Sequence, residues 1–115
     1  MKTEIVARHP EIDETLRRYV LRRVRSAINR LSTQIKNITV KLDRHSAQQA
    51  DQRNCVIEIR IDGQEAPLIV DSAGPHWLSA IDKAVESAAR AVRRQLKHTL
   101  HQVTPLQLLK GQHAS

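Results

Sequence analysis

The chain has 115 residues with 19 Lys and Arg against 12 Asp and Glu, a formal net charge of +7. This length makes one domain with a core of its own, and the lone Cys55 excludes an internal disulfide and fits a reducing compartment. No apolar run approaches the ~18 residues of a membrane span, and a pI near 10.3 raises the prior for nucleic acid or another anionic surface as partner.

Aromatics are reduced to Tyr19 and Trp77, so the core must be aliphatic. Met1-Lys2-Thr3-Glu4 leads into a short apolar segment and not into a signal-peptide core, and a cytoplasmic location is expected. Thr3 to Arg8 is short and partly β-branched and reads as a first strand, stopped by His9-Pro10. Asp13 is a good helix cap, with Ile12 as the staple residue before it and Glu14 favourably placed in the first turn. The helix it opens is predicted to run to about Leu31. Leu16, Tyr19, Val20, Val24, Ala27, Ile28 and Leu31 form its buried stripe, with Arg18, Arg22, Arg25 and Asn29 opposite and Arg17, Arg23 and Arg30 on the flanks.

Strand signals follow. Ile38, Val40 and Leu42 alternate with polar residues, as do Cys55, Ile57, Ile59 and Ile61, which predicts a sheet with one face on a core and one face wet. Arg44 to Arg53 between them is polar and reads as a loop. Asp62-Gly63 marks a turn, and Pro67 to Asp71 a short last strand at an edge. Ser72 to Gly74 leads to Pro75, placed for the first turn of a long helix reaching about His101. There Trp77, Ile81, Ala84, Val85, Ala88, Val92 and Leu96 gather on one side, and Lys83, Arg90, Arg93, Arg94, Lys97 and His101 on the other. Pro105 is expected to end the helix, dividing the chain into a domain over 1–104 and a flexible tail over 105–115.

The predicted order is β-α-β-β-β-α, an α+β sandwich of two layers: a four-stranded sheet with two helices packed on one face. The net charge is +4 over residues 1–32, −1 over 33–73 and +4 over 74–115, so the excess lies in the helices. From Arg90 to His101 no acidic residue neutralises the cationic stripe. Two readings stay open: helix backs that are merely solvated, and helix backs that meet a polyanion.

Other constellations are weaker. His98 and His101 stand at i, i+3 but lack a third ligand at a recognisable spacing, so a solvated or phosphate-facing role is expected and no metal. Asp82 and Glu86 on the helix back could be paired carboxylates for acid–base work, but Glu86 is also placed for an i, i+4 ion pair with Arg90, and a structural role is expected. Cys55 alternates in register with Ile57 and Ile59 and reads as a small buried apolar residue. Trp77 reads as a core anchor, with a base-stacking platform as the alternative. With only three Gly and no phosphate-cradling loop, nothing points to an enzyme, a cofactor or a small-molecule substrate.

Three stretches carry a resemblance: Ile12-Asp13-Glu14-Thr15-Leu16-Arg17-Arg18-Tyr19-Val20, Ile38-Thr39-Val40-Lys41-Leu42, and Ala80-Ile81-Asp82 with the basic run after it. Over roughly residues 4 to 100 the chain resembles the ribosome hibernation-promoting factor and ribosome-associated inhibitor family. The resemblance implies binding of small-subunit ribosomal RNA in the channel used by messenger and transfer RNA. It implies the short form, without the second, dimerising domain, and a monomer off the ribosome. Arg90 and Arg94 fall where the family tends to be basic. His76 and Leu78 depart from it, standing where the family usually has an acidic residue and a Tyr, which implies a differently shaped approach to the second helix.

Together these give a non-catalytic RNA-binding protein whose expected contacts are Arg18, Arg22, Arg25, Lys83, Arg90, Arg93, Arg94, Lys97 and His101. A-form RNA hides its bases, so a rigid protein reads shape and backbone charge, and Lys and Arg supply affinity by releasing counterions. Two rivals remain: a double-stranded-RNA binder not tied to the ribosome, and a protein-interaction module with solvated basic helices.

Overall fold

The computed structural model describes residues 2–7, 9–28, 31, 33–46 and 51–112, of which 45, 46, 51 and 98–112 are described by backbone alone. In chain order the elements are β1 (Lys2–Ala7), α1 (Glu14–Ala27), β2 (Ile35–Ser46), β3 (Asp51–Ile61), β4 (Leu68–Gly74) and α2 (Trp77–Gln112). The strands form one sheet in the order β1-β2-β3-β4. β1 and β2 are parallel, with Ile5 opposite Val40. A parallel pair needs a crossover, and α1 supplies it. β2–β3 and β3–β4 are antiparallel.

Register decides which face is apolar. Ile38 lies opposite Ile59, Val40 opposite Ile57 and Leu42 opposite Cys55, and all six are buried together with Ile35 and Ile61. The alternate residues turn outward, where Lys41 pairs with Glu58 across the β2–β3 ladder. Onto the apolar face pack Val20, Val24 and Ile28 of the α1 segment and Ile81, Val85 and Val92 of α2, with Ala80, Ala84, Ala88 and Ala89 also buried. Four alanines on the buried side of α2 let its backbone approach the sheet closely. Both helices therefore lie on one face, as the sequence predicts.

Asp13 caps α1, its Oδ1 accepting from the Leu16 N–H at 2.9 Å. At the other end the Ile28 N–H reaches the Val24 carbonyl at 2.8 Å and the Leu31 N–H then reaches the Ile28 carbonyl. α1 thus stops at Ala27, short of the predicted Leu31. Asn29, the residue after the cap Ile28, is a weak helix former.

Three further boundaries differ from the sequence prediction. The loop predicted over Arg44–Arg53 is cut back at both ends: β2 continues to Ser46 and β3 begins at Asp51, with Arg44 paired to Arg53, while residues 47–50 lie outside the described residues. Backbone pairing does not need apolar side chains, so polarity alone misplaced that boundary. β4 extends to Gly74, and α2 begins at Trp77, two residues past Pro75. A Cβ on Gly74 would lie 2.6 Å from the Ser79 Oγ, so a larger residue in the turn from β4 into α2 would make the Ser79 hydroxyl swing aside. Gly63 has φ +83° in the Asp62-Gly63 turn, closed by the Gln64 N–H on the Ile61 carbonyl at 3.0 Å. Finally, α2 is assigned to Gln112 and passes Pro105. Proline removes one helical donor and crowds the preceding turn, but Leu, Gln and Lys on either side favour continuation. The side chains of 98–112 and all of 113–115, where the tail was expected, lie outside the described residues.

Candidate nucleic-acid interface

On α1, Arg18, Arg22 and Arg25 are exposed. Arg18 has Glu14 one turn earlier, with 3.6 Å between charges, but both side chains are 72% exposed. A pair so open to water is weak and exchanges readily for another anion. Arg17 and Arg23, on the flanks, are half-buried and directed at the protein itself. Arg17 donates to the Ala7 carbonyl at 3.3 Å.

On α2, Lys83, Arg90, Arg93, Arg94 and Lys97 are all exposed. Arg90, Arg93 and Arg94 line an open hollow of about 320 Å³. The ion pair expected between Glu86 and Arg90 is not among those of the described residues; Arg90 Nη2 instead lies 3.3 Å from Ser87 Oγ. Glu86 is exposed and stands three residues after Lys83 and four before Arg90, which places it between them on the same face. Lys83 is thus set apart from the cluster that begins at Arg90. The side chain of His101 lies outside the described residues, so the part of the stripe with described side chains ends at Lys97.

The two backs are brought together by the fold. α1 and α2 touch each other and share one face of the sheet, so their outward surfaces form one side of the molecule. Across the helix contact, Asp82 Oδ1 accepts from the Tyr19 hydroxyl at 2.6 Å and from Arg23 Nε at 3.0 Å. The hydrogen bond to Asp82 raises the Tyr19 pKa above its ordinary value, with desolvation and the Asp82 charge adding to it. The structural role expected for Asp82 holds, but its partners are on α1.

A second polar cluster went unread in the sequence. The Glu11 carboxylate accepts from Trp77 Nε1 at 2.8 Å and from Arg44 Nη1 at 2.7 Å, with Arg53 Nη2 at 3.4 Å. Arg53 also donates to the Pro75 carbonyl at 2.9 Å, and its guanidinium carbon lies 6.0 Å from the centroid of the Trp77 ring. Trp77 packs against the core as expected, but its indole also walls a surface cleft of about 560 Å³ with Leu16, Tyr19 and Leu78. Leu78 is half exposed there. Cys55 is buried as expected, and burial, with the Asp71 charge added, pushes its thiol up to about 12. Among the described residues no three His, Cys, Asp or Glu side chains are grouped to hold a metal ion.

Comparison with known proteins decides the family. Residues 3–99 match the family described as Sigma 54 modulation protein / S30EA ribosomal protein. The chain belongs to it. This agrees with the resemblance to the hibernation-promoting factors carried by the first helix, β2 and the Ala80-Ile81-Asp82 step. Among solved structures, a ribosomal subunit interface protein from Coxiella burnetii shares this S30EA fold with a TM-score of 0.66 at 11% identity, over 84% of this chain and 99% of that one. The N-terminal domain of Thermus thermophilus Protein Y does so with a TM-score of 0.62 at 21% identity, over 82% and 98%. No curated protein matches the chain. At these identities the structural likeness speaks for the fold of this S30EA protein, and the family match for its association with the ribosome.

Proposed function

We propose that this S30EA protein is a non-catalytic, cytoplasmic factor that docks on small-subunit ribosomal RNA and inhibits translation in idle ribosomes by occluding the channel for messenger and transfer RNA. The observation that carries it is the fold's placement of two cationic helix backs on one side of the molecule. Arg18, Arg22 and Arg25 come from α1, and Lys83, Arg90, Arg93, Arg94 and Lys97 from α2. The extension of the stripe to His101 belongs to the same proposal. Off the ribosome the protein acts as a monomer, and it requires no cofactor or small-molecule substrate. Rigid, exposed guanidinium groups suit phosphates, which they grip in a bidentate fashion.

The test is sedimentation with small ribosomal subunits across a salt series. If the backs engage about six phosphates, log affinity should fall against log salt with a slope of roughly −4 to −5. Replacing Arg90, Arg94 and Lys97 together by Glu should abolish binding. Exposed substitutions of this kind cost less than about 0.5 kcal/mol each, so circular dichroism should be unchanged. Binding that survives in the folded variant would remove α2 from the interface. Equal affinity for isolated duplex RNA would point to a general double-stranded-RNA binder, and a flat salt dependence to a protein-interaction module.

A further inference from the structure

We propose that Tyr19, Arg23 and Asp82 are positioning residues: they hold the two cationic helix backs in one fixed relative placement, so that the pair meets a rigid, folded RNA as a single surface. This rests on the RNA-binding function proposed above. It concerns how the two helices cooperate, which charge and exposure alone do not settle.

Both helices carry cations on the outer side, Arg18, Arg22 and Arg25 against Arg90, Arg93, Arg94 and Lys97. Like charges side by side repel, and the apolar contacts beneath them have no direction of their own. Burial keeps the helices on the sheet but is compatible with small rolls and slides. The contact at Asp82 is of another kind. One carboxylate oxygen takes the Tyr19 hydroxyl at 2.6 Å and the Arg23 Nε at 3.0 Å. Charge-assisted bonds of this length restrict both distance and angle.

Tyr19 and Arg23 are one turn apart on α1, so two successive turns are tied to a single point on α2. The tyrosine ring has few rotamers to lose, which makes it a stiff strut. Asp82 is the only acidic residue on α2 besides Glu86. Arg23, pairing inward, is taken out of the outward-facing group, as expected of a cation given over to placement and not to phosphate binding.

Fixing the backs in advance matters only when the ligand is itself rigid. Against folded ribosomal RNA, contacts made by α1 raise the effective concentration for α2 if the spacing is already correct. A flexible single strand adjusts to whatever spacing it meets, so it gains little from the clamp.

The experiment compares the full chain with Tyr19→Phe, which keeps the ring, and Asp82→Asn, which keeps the shape and loses the charge. Small ribosomal subunits and a flexible uridine homopolymer are the two ligands, with Arg90→Gln as reference. Tyr19→Phe and Asp82→Asn should each weaken subunit binding about tenfold, the scale of one charge-assisted hydrogen bond, and leave homopolymer binding unchanged. Arg90→Gln should weaken both.

Nitroxide labels on Ser26→Cys and Glu86→Cys report the helices directly, because the buried Cys55 should not compete for label. The distance distribution between them should broaden in Tyr19→Phe. If Tyr19→Phe does not fold, Asp82→Asn carries the same measurements. An unchanged distribution, or equal losses for both ligands, would overturn the clamp while leaving the RNA reading intact. If Arg90→Gln weakens neither ligand, the RNA-binding function itself fails.

Discussion

At Glu11 one carboxylate serves the Trp77 indole, Arg44 and Arg53, with His9 Nδ1 3.8 Å away. The indole hydrogen bond is the largest influence, and with the neighbouring cations it holds the Glu11 pKa below 4.5 despite some desolvation. A carboxylate whose pKa falls on folding contributes stability that is full above its unfolded value and is lost as pH falls through the folded one. Melting temperature should therefore drop as pH is lowered below about 4.5, and Glu11→Gln should lessen that drop. Equal acid sensitivity in wild type and variant would mean that the Glu11 contacts add nothing to stability. At the proposed interface, Arg94→Gln should make the salt slope shallower by just under about one unit. The same change at Lys41, on the outer face of the sheet, should leave it alone. A slope that responds to Lys41 and ignores Arg94 would put the RNA on the opposite face. The cationic stripes were legible because residues three and four apart share a helix face. Glu11 and Asp82 were not. Their partners stand 33 to 66 residues away, and no local spacing signals such contacts.

At the scale of elements, alternation found β2 and β3 and helical period found α1 and α2, because each sheet or helix face buries its apolar residues at a fixed repeat. β1 and β4 were read from short runs bounded by His9-Pro10 and by the Asp62-Gly63 turn. Ends were harder. β2 and β3 continue through polar residues because the ladder is held by backbone, and α1 stops at Ala27, just ahead of Asn29, a weak helix former. The start of α1 was readable from Asp13, whose carboxylate takes the Leu16 N–H. Asp13→Ala should cost about 1 kcal/mol, measured as a shift in the denaturation midpoint with unchanged slope. A cost near zero would mean that water or a neighbouring residue takes over the cap. Glu86 shows the limit of spacing rules: it is placed for an ion pair with Arg90, yet Arg90 turns to Ser87. An exposed pair of this kind gains so little that side-chain entropy can decide against it.

For the molecule as a whole, the two-layer architecture followed from element order and the side on which each element is apolar. The proposal for a loosely held end over 105–115 can be tested by removing Leu106 to Ser115. That deletion takes away only one charged side chain, Lys110, and the fold should stay intact. A large fall in melting temperature would show that Leu106, Leu108 and Leu109 dock on the core. Unchanged stability with lost ribosome binding would make this segment part of the plug. The placement of both helices on one face of a nearly neutral sheet has a consequence for the encounter itself. Positive charge is concentrated on one side, so the protein carries an electric dipole running from sheet to helices. Near a polyanion that dipole exerts a torque before any atom touches, within a Debye length of about 10 Å at moderate salt. The protein should therefore arrive helices first, and added salt should slow its capture as well as weaken its hold.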